Sequence, residues 1–132
     1  MSGLVPPDYR IAPRSGATLP QPPLVTVTAM GQSRRTFEFQ IDPIGTAYYS
    51  RPGVYMFLRK TQEGKWFICY IGETSDFNCR LNTDLRLHHR WQSICAERAT
   101  HIGTLHVPGD PVLRETIETD LIRAYETPCN RQ

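Results

Sequence analysis

Tyr55 and Tyr70 stand in two apolar runs, GVYMFLR (53–59) and WFICYIG (66–72). Side chains alternate faces along a strand, so a hairpin with an even loop presents both phenols on one face. A loop of Thr61–Gly64 sets Tyr55 directly opposite Tyr70, whereas an odd loop separates them. Such a pair is either two core aromatics with hydroxyls at the rim or a proton-handling pair. Arg80 borders an apolar stripe of Phe77, Leu81 and Leu85 at helical spacing. Its planar fork suits a phosphate, with snorkelling or an i+4 pair with Asp84 as the ordinary alternative. On an unbroken helix His88 shares Arg80's side and His89 points the opposite way. Glu118 lies on the shoulder of a last helix, between the buried stripe Leu113, Ile117, Leu121, Ala124 and the solvent side of Glu115 and Glu126. A carboxylate there can hold a hard divalent cation such as Mg²⁺ with water and phosphate oxygens, or simply pair with Arg114 at i−4. Singly, each ordinary alternative is the stronger. Together, the residues supply a proton handler, an anion clamp and a hard-cation ligand.

The elements that must position them follow from pattern. Six of the eleven prolines fall within residues 1–23, which predicts an extended or disordered arm. Residues 24–51 read as a hairpin, LVTVTAM and TFEFQID around a Gly-containing turn, and a loop; the hairpin extends or covers the main sheet. Residues 52–132 form the body. Two strands are followed by a helix starting near Ser75 and running into the nineties, interrupted near Asn82, Thr83 and Asp84. A third strand, THIGTLHV (100–107), comes next. Asp110 then Pro111 is a strong start for a helix reaching about Glu126, before Pro128. The fold class is α+β: a small mixed or antiparallel sheet flanked by helices, ordered β-β-α-β-α after the hairpin and arm.

Composition narrows the field. A length of 132 residues suits one compact domain. Mean hydropathy is −0.42 and no apolar run approaches a membrane span, so a membrane partner is not expected. The opening MSGLVPPDYR lacks the basic-then-apolar layout of a secretion signal. Cys69, Cys79, Cys95 and Cys129 contain no CxxC pair, and read as reduced thiols in apolar positions. A cytoplasmic location is the expectation. The net charge of +2 permits nucleic-acid binding without arguing for it.

The ordered set Gly53-Val54-Tyr55, Tyr70-Ile71-Gly72, Arg80, Glu118 with Leu121 and Ile122, and Pro128 with Asn130 closely resembles the GIY-YIG nuclease family, over about residues 52–130. The resemblance implies a metal-dependent endonuclease that hydrolyses DNA phosphodiester bonds with one Mg²⁺ or Mn²⁺. In that frame Tyr55 and Tyr70 are the family tyrosines, one of them the base that deprotonates water, with Tyr70 the first choice. Arg80 steadies the scissile phosphate, Glu118 binds the metal, Asn130 helps hold the site together, and His88 or His89 is the candidate catalytic histidine. Two positions depart from the family: Asp84 stands where many relatives have His or Tyr, and Glu73 where some have Lys. Arg80, Arg86, His89, Arg90 and Arg98 are candidate DNA-backbone contacts along segment 80–98. One site cuts one strand, so a double-strand cut requires a homodimer or sequential nicks. The alternative is a catalytically weak module of the same type that binds nucleic acid or a protein partner.

Overall fold

The computed structural model describes residues 25–131; the arm over 1–23 lies outside the described residues. Strands β1 (Val25–Met30) and β2 (Thr36–Pro43) form the expected hairpin, and its alternating side chains put Ala29, Phe39 and Ile41 into the core. Then follow β3 (Gly53–Lys60), β4 (Trp66–Thr74), the short helix α1 (Trp91–Ala96), β5 (His101–His106) and α2 (Pro111–Ala124). The sheet order is β1-β2-β5-β3-β4, and every pairing is antiparallel. The hairpin therefore extends the sheet through β2 and β5 rather than covering it. Its turn is moored to α2: Asp120 accepts from Ser33 N at 2.8 Å and from Ser33 Oγ at 2.6 Å.

Strand β3 is buried on both faces. Val54, Met56 and Leu58 of β3 face Ile117 and Leu121 of α2. Tyr55 and Phe57 face the other way, against Phe77, Leu81 and Ile94. A strand covered on both sides reads as an uninterrupted apolar run, which is why GVYMFL shows no alternation.

Three expectations change. The turn after β3 is odd, since Lys60 faces Trp66; left alone, it would separate the two phenols. A bulge repairs this. Leu58 faces Ile68 but Phe57 faces Tyr70, so Cys69 is the extra residue and the register moves by one. Tyr70 then shares Tyr55's face, opposite Phe57 and one step diagonal to Tyr55.

Second, the chain after Ser75 breaks at Thr83–Asp84 as expected, but the pieces on either side are irregular turns rather than lengths of α-helix. Asp76 caps the start, its Oδ1 accepting from Cys79 N at 3.1 Å. A π-helical turn (Cys79–Thr83) and a 3-10 turn (Leu85–Leu87) follow before α1. The cause is competition for hydrogen bonds. Asn82 accepts from Tyr48 N at 2.9 Å and donates to Thr46 O at 2.9 Å, while Asn78 donates to Tyr48 O at 3.0 Å. These carboxamides tie the segment to the loop before β3 and favour irregular turns.

Third, the buried side of α2 is Arg114, Ile117 and Leu121, whereas Leu113 and Ala124 are exposed. The helix is rolled so that Arg114 reaches the end of β4. Its start is as expected, with Asp110 accepting from Val112 N at 2.9 Å. Cys69 and Cys129 fill apolar positions, but Cys79 and Cys95 are exposed. No helix among the described residues is long and apolar enough to cross a membrane.

Candidate active site

The two phenols lie at the β3–β4 hairpin with ring centroids 6.1 Å apart. Gly72 faces Tyr55 across the ladder. A Cβ at Gly72 would sit 2.6 Å from Tyr55 Oη and 2.8 Å from Tyr70 Cε2, so only glycine leaves room for both rings. Gly53 does similar work at the strand's start, where a Cβ would run into the Leu105 carbonyl and the Phe77 ring.

His88 enters from above because the chain has left its helix; its backbone is extended at φ −57°, ψ 130°. It is buried, and its Nε2 is 2.7 Å from Tyr55 Oη. Arg90 N donates to His88 Nδ1 at 3.0 Å. In the neutral ring that leaves the proton on Nε2, so His88 donates to Tyr55. Burial first, then the charges of His89, Arg80 and Arg90, lower the His88 pKa to about 4, which keeps the ring neutral at physiological pH. His89 does not point away. It stacks on His88 at 4.8 Å and 11° and approaches Tyr70 at 6.1 Å.

The Tyr55 hydroxyl lies near the Tyr70 hydroxyl and the Arg80 guanidinium, which act on its ionisation. Burial pushes the Tyr55 phenol far up, reinforced by Tyr70 and opposed by Arg80. Tyr70 is raised too, by burial and then by the negative charge of Glu118. Tyr55 and the charges of Arg80 and Arg90 work the other way, favouring its ionised form. His88 donates to Tyr55, and ionisation is disfavoured at both phenols by burial.

Glu118 projects from α2 toward the end of β4, where the Glu73 backbone N–H favours its ionised form. Burial, then the charges of Glu73 and Glu115, push its pKa up to about 7. Arg114 does not pair with Glu118. Its Nε bonds Glu73 Oε2 at 3.0 Å in a largely buried ion pair. Glu73 is thereby held at the end of β4 by Arg114. Asp84, the other departure from the family pattern, accepts from Cys79 Sγ at 3.0 Å. Asn130 spends both ends of its carboxamide on Ile71, donating to the carbonyl and accepting from the N–H, each at 2.8 Å. It is a positioning residue that pins β4 beside Tyr70.

Beside this cluster lies a hollow of about 360 Å³ lined by Asp76, Cys79, Arg80, Asp84, His88 and His89 among others. Tyr55, Tyr70, Arg80, His88 and His89 thus come together, with Glu118 and Arg90 within electrostatic reach of Tyr70. Arg86 is exposed on the 3-10 turn nearby. Arg98 is elsewhere: it lines a separate hollow with Arg59, Lys60 and Gln62 at the opposite end of β3. The short α1 carries the chain there, so segment 80–98 is not one continuous track.

The Arg114–Glu73 pair is absent from the sequence reading, which gives Arg114 to Glu118. The available signal is an arginine at i−3 to Ile117 and i−7 to Leu121, a charge on an apolar stripe that demands a partner.

Among the described residues no three His, Cys, Asp or Glu side chains gather to hold a metal. The donor set at Glu118 is a single carboxylate whose negative charge is poorly compensated by its surroundings. That fits a hard cation that keeps most of its water, such as Mg²⁺ or Mn²⁺, better than a cation needing a full protein cage.

Comparison of the chain with protein-family models, with curated proteins and with solved structures finds no match.

Proposed function

We propose that this chain is a metal-dependent endonuclease of GIY-YIG type that hydrolyses DNA phosphodiester bonds. The observation that carries the reading is the meeting of Tyr55, Tyr70, Arg80 and His88 on one sheet face, with Glu118 close enough to act on Tyr70 by charge. These residues are scattered over the sequence, and their convergence supports a site that handles a proton, clamps an anion and carries an under-compensated carboxylate.

In this reading Arg80 neutralises charge on the scissile phosphate. Glu118 would hold a divalent cation, which when bound would supply further charge neutralisation at phosphorus and at the leaving oxygen. Tyr70 takes the proton of the attacking water. An ordinary phenol, with pKa near 10, is a weak base at neutral pH, so its phenolate must be favoured by its neighbours. Tyr55 does this by donating its O–H to Tyr70 while it receives the Nε2–H of His88. Tyr55 itself stays protonated because ionising it in the core is prohibitive. His88 is therefore an orienting donor and not a base.

The competing reading is a catalytically weak module that binds DNA or a protein partner. The upward shift of both phenols favours it. Supercoiled plasmid incubated with Mg²⁺, Mn²⁺ or chelator separates the two. The nuclease reading expects nicked circles in metal, none in chelator, and loss of nicking in Glu118→Ala. Retained DNA binding with the same lack of cleavage by wild type and variant in every metal selects the binding module. Equal cleavage by both would show that the site is misassigned.

A further inference from the structure

Leu87 is 81 % exposed, more than any other large apolar side chain among the described residues. A single exposed leucine is unremarkable by itself. Its mounting and surroundings set this one apart. Leu87 N donates to Asp84 O at 3.0 Å, His88 N to Leu85 O at 3.1 Å and Trp91 N to His88 O at 2.9 Å. Leu85 packs inward against the core and His88 is buried on Tyr55. Leu87 is therefore held outward by a backbone anchored on both sides.

It also lines the hollow that contains Arg80, His88 and His89. Arg86 precedes it, and Arg90 follows. Asp76 and Asp84 also line that hollow and keep their charge while accepting from Cys79 N and Cys79 Sγ, so Arg80, Arg86 and Arg90 outnumber these carboxylates by one. An apolar tip flanked in sequence by Arg86 and Arg90 and beside Arg80 matches a polyanion with an apolar interior. Duplex DNA is such a ligand, with phosphates outside and stacked bases within.

We infer that Leu87 is a wedge that enters the base stack of duplex DNA beside the phosphate held by Arg80, opening a base step as the protein binds. The inference rests on the endonuclease reading and names its substrate as a duplex that is unstacked at the site. The cations supply attraction independent of sequence, and Leu87 supplies the distortion that brings the phosphate down to Tyr70 and Glu118.

The test uses Glu118→Gln to prevent cleavage and a duplex oligonucleotide carrying 2-aminopurines, whose emission rises on unstacking. Binding by Glu118→Gln is expected to raise the emission, and adding Leu87→Met preserves the rise. Adding Leu87→Ala abolishes it and weakens duplex affinity about tenfold, with affinity for the single-stranded oligonucleotide unchanged. A rise of equal size with Leu87→Ala would overturn the wedge. So would the absence of a rise on a duplex that is bound and that the wild type nicks, an outcome that leaves the endonuclease reading standing. A duplex neither bound nor nicked removes both. A dimer in sedimentation that Leu87→Ala dissociates overturns the wedge in favour of a protein contact.

Discussion

Replacing Glu118 by glutamine should stabilise the metal-free protein while removing its response to metal. The Glu118 carboxyl is displaced from 4.5 to about 7 by burial and by Glu73 and Glu115. For an acid, a raised folded-state pKa means that ionisation opposes folding. Below pH 4.5 the group is neutral in both states and contributes no penalty. The penalty grows between 4.5 and about 7 and is constant above that. The full displacement corresponds to at most ~3 kcal/mol. Glu118 is only half-buried, so screening reduces this to ~1–2 kcal/mol. The substituted carboxamide would still lie beside the Glu73 N–H, so the change removes charge and little else. In chelator at pH 8, Glu118→Gln should melt ~4–8 °C above the wild type, with the difference vanishing near pH 4.5. Adding Mg²⁺ at ten times its Kd should raise wild-type stability by ~1.4 kcal/mol and leave the variant unmoved. Thermal unfolding across pH, with and without Mg²⁺, reads all of this. A variant less stable at pH 8, or a difference that does not change with pH, would refute the claim that this carboxylate is held ionised at a cost and is relieved by a cation.

Tyr70→Phe should lower the nicking rate by about 10²–10⁴-fold with DNA affinity retained. Tyr55→Phe should also lower it but additionally destabilise the fold by ~1–3 kcal/mol, because the His88 Nε2–H loses its acceptor; circular dichroism melts separate the two variants. Gly72→Ala should displace both phenols, lowering the melting temperature and abolishing nicking together, and a crystal structure of the variant with the rings unmoved would contradict this. Asn130→Ala removes two hydrogen bonds from Ile71 and should destabilise by ~1–3 kcal/mol, with faster hydrogen exchange at Ile71 as the local signature.

Much of the scaffold is legible in the sequence. Strand and helix positions follow from GVYMFLR, WFICYIG, THIGTLHV and the Asp110–Pro111 start, since strong local patterns agree with the tertiary arrangement. What escapes is set by long-range bonds. Nothing local to residues 75–96 reveals that Asn78 and Asn82 bind a loop about thirty positions earlier, so periodicity alone draws helix where irregular turns stand and puts His89 on the wrong side. An even loop places the phenols on one face, whereas the protein reaches the same result with an odd turn and a bulge at Cys69. Proximity in sequence groups Arg98 with the site, and the short α1 carries it to the far end of the sheet.

The bulge at Cys69 has a consequence for how this hairpin tolerates change. It lies between the tip, Thr61–Lys65, and the aromatic pair, so facing is reset after the tip rather than inherited from it. Thr61 N to Lys65 O at 2.7 Å closes the tip on itself, and β3 and β4 are locked on both faces below it. The tip is thus a permissive port: a fluorophore or an affinity peptide spliced there would leave the aromatic pair where it stands. Deleting Cys69 alone would remove the extra residue and leave a regular ladder in which Phe57 still faces Tyr70.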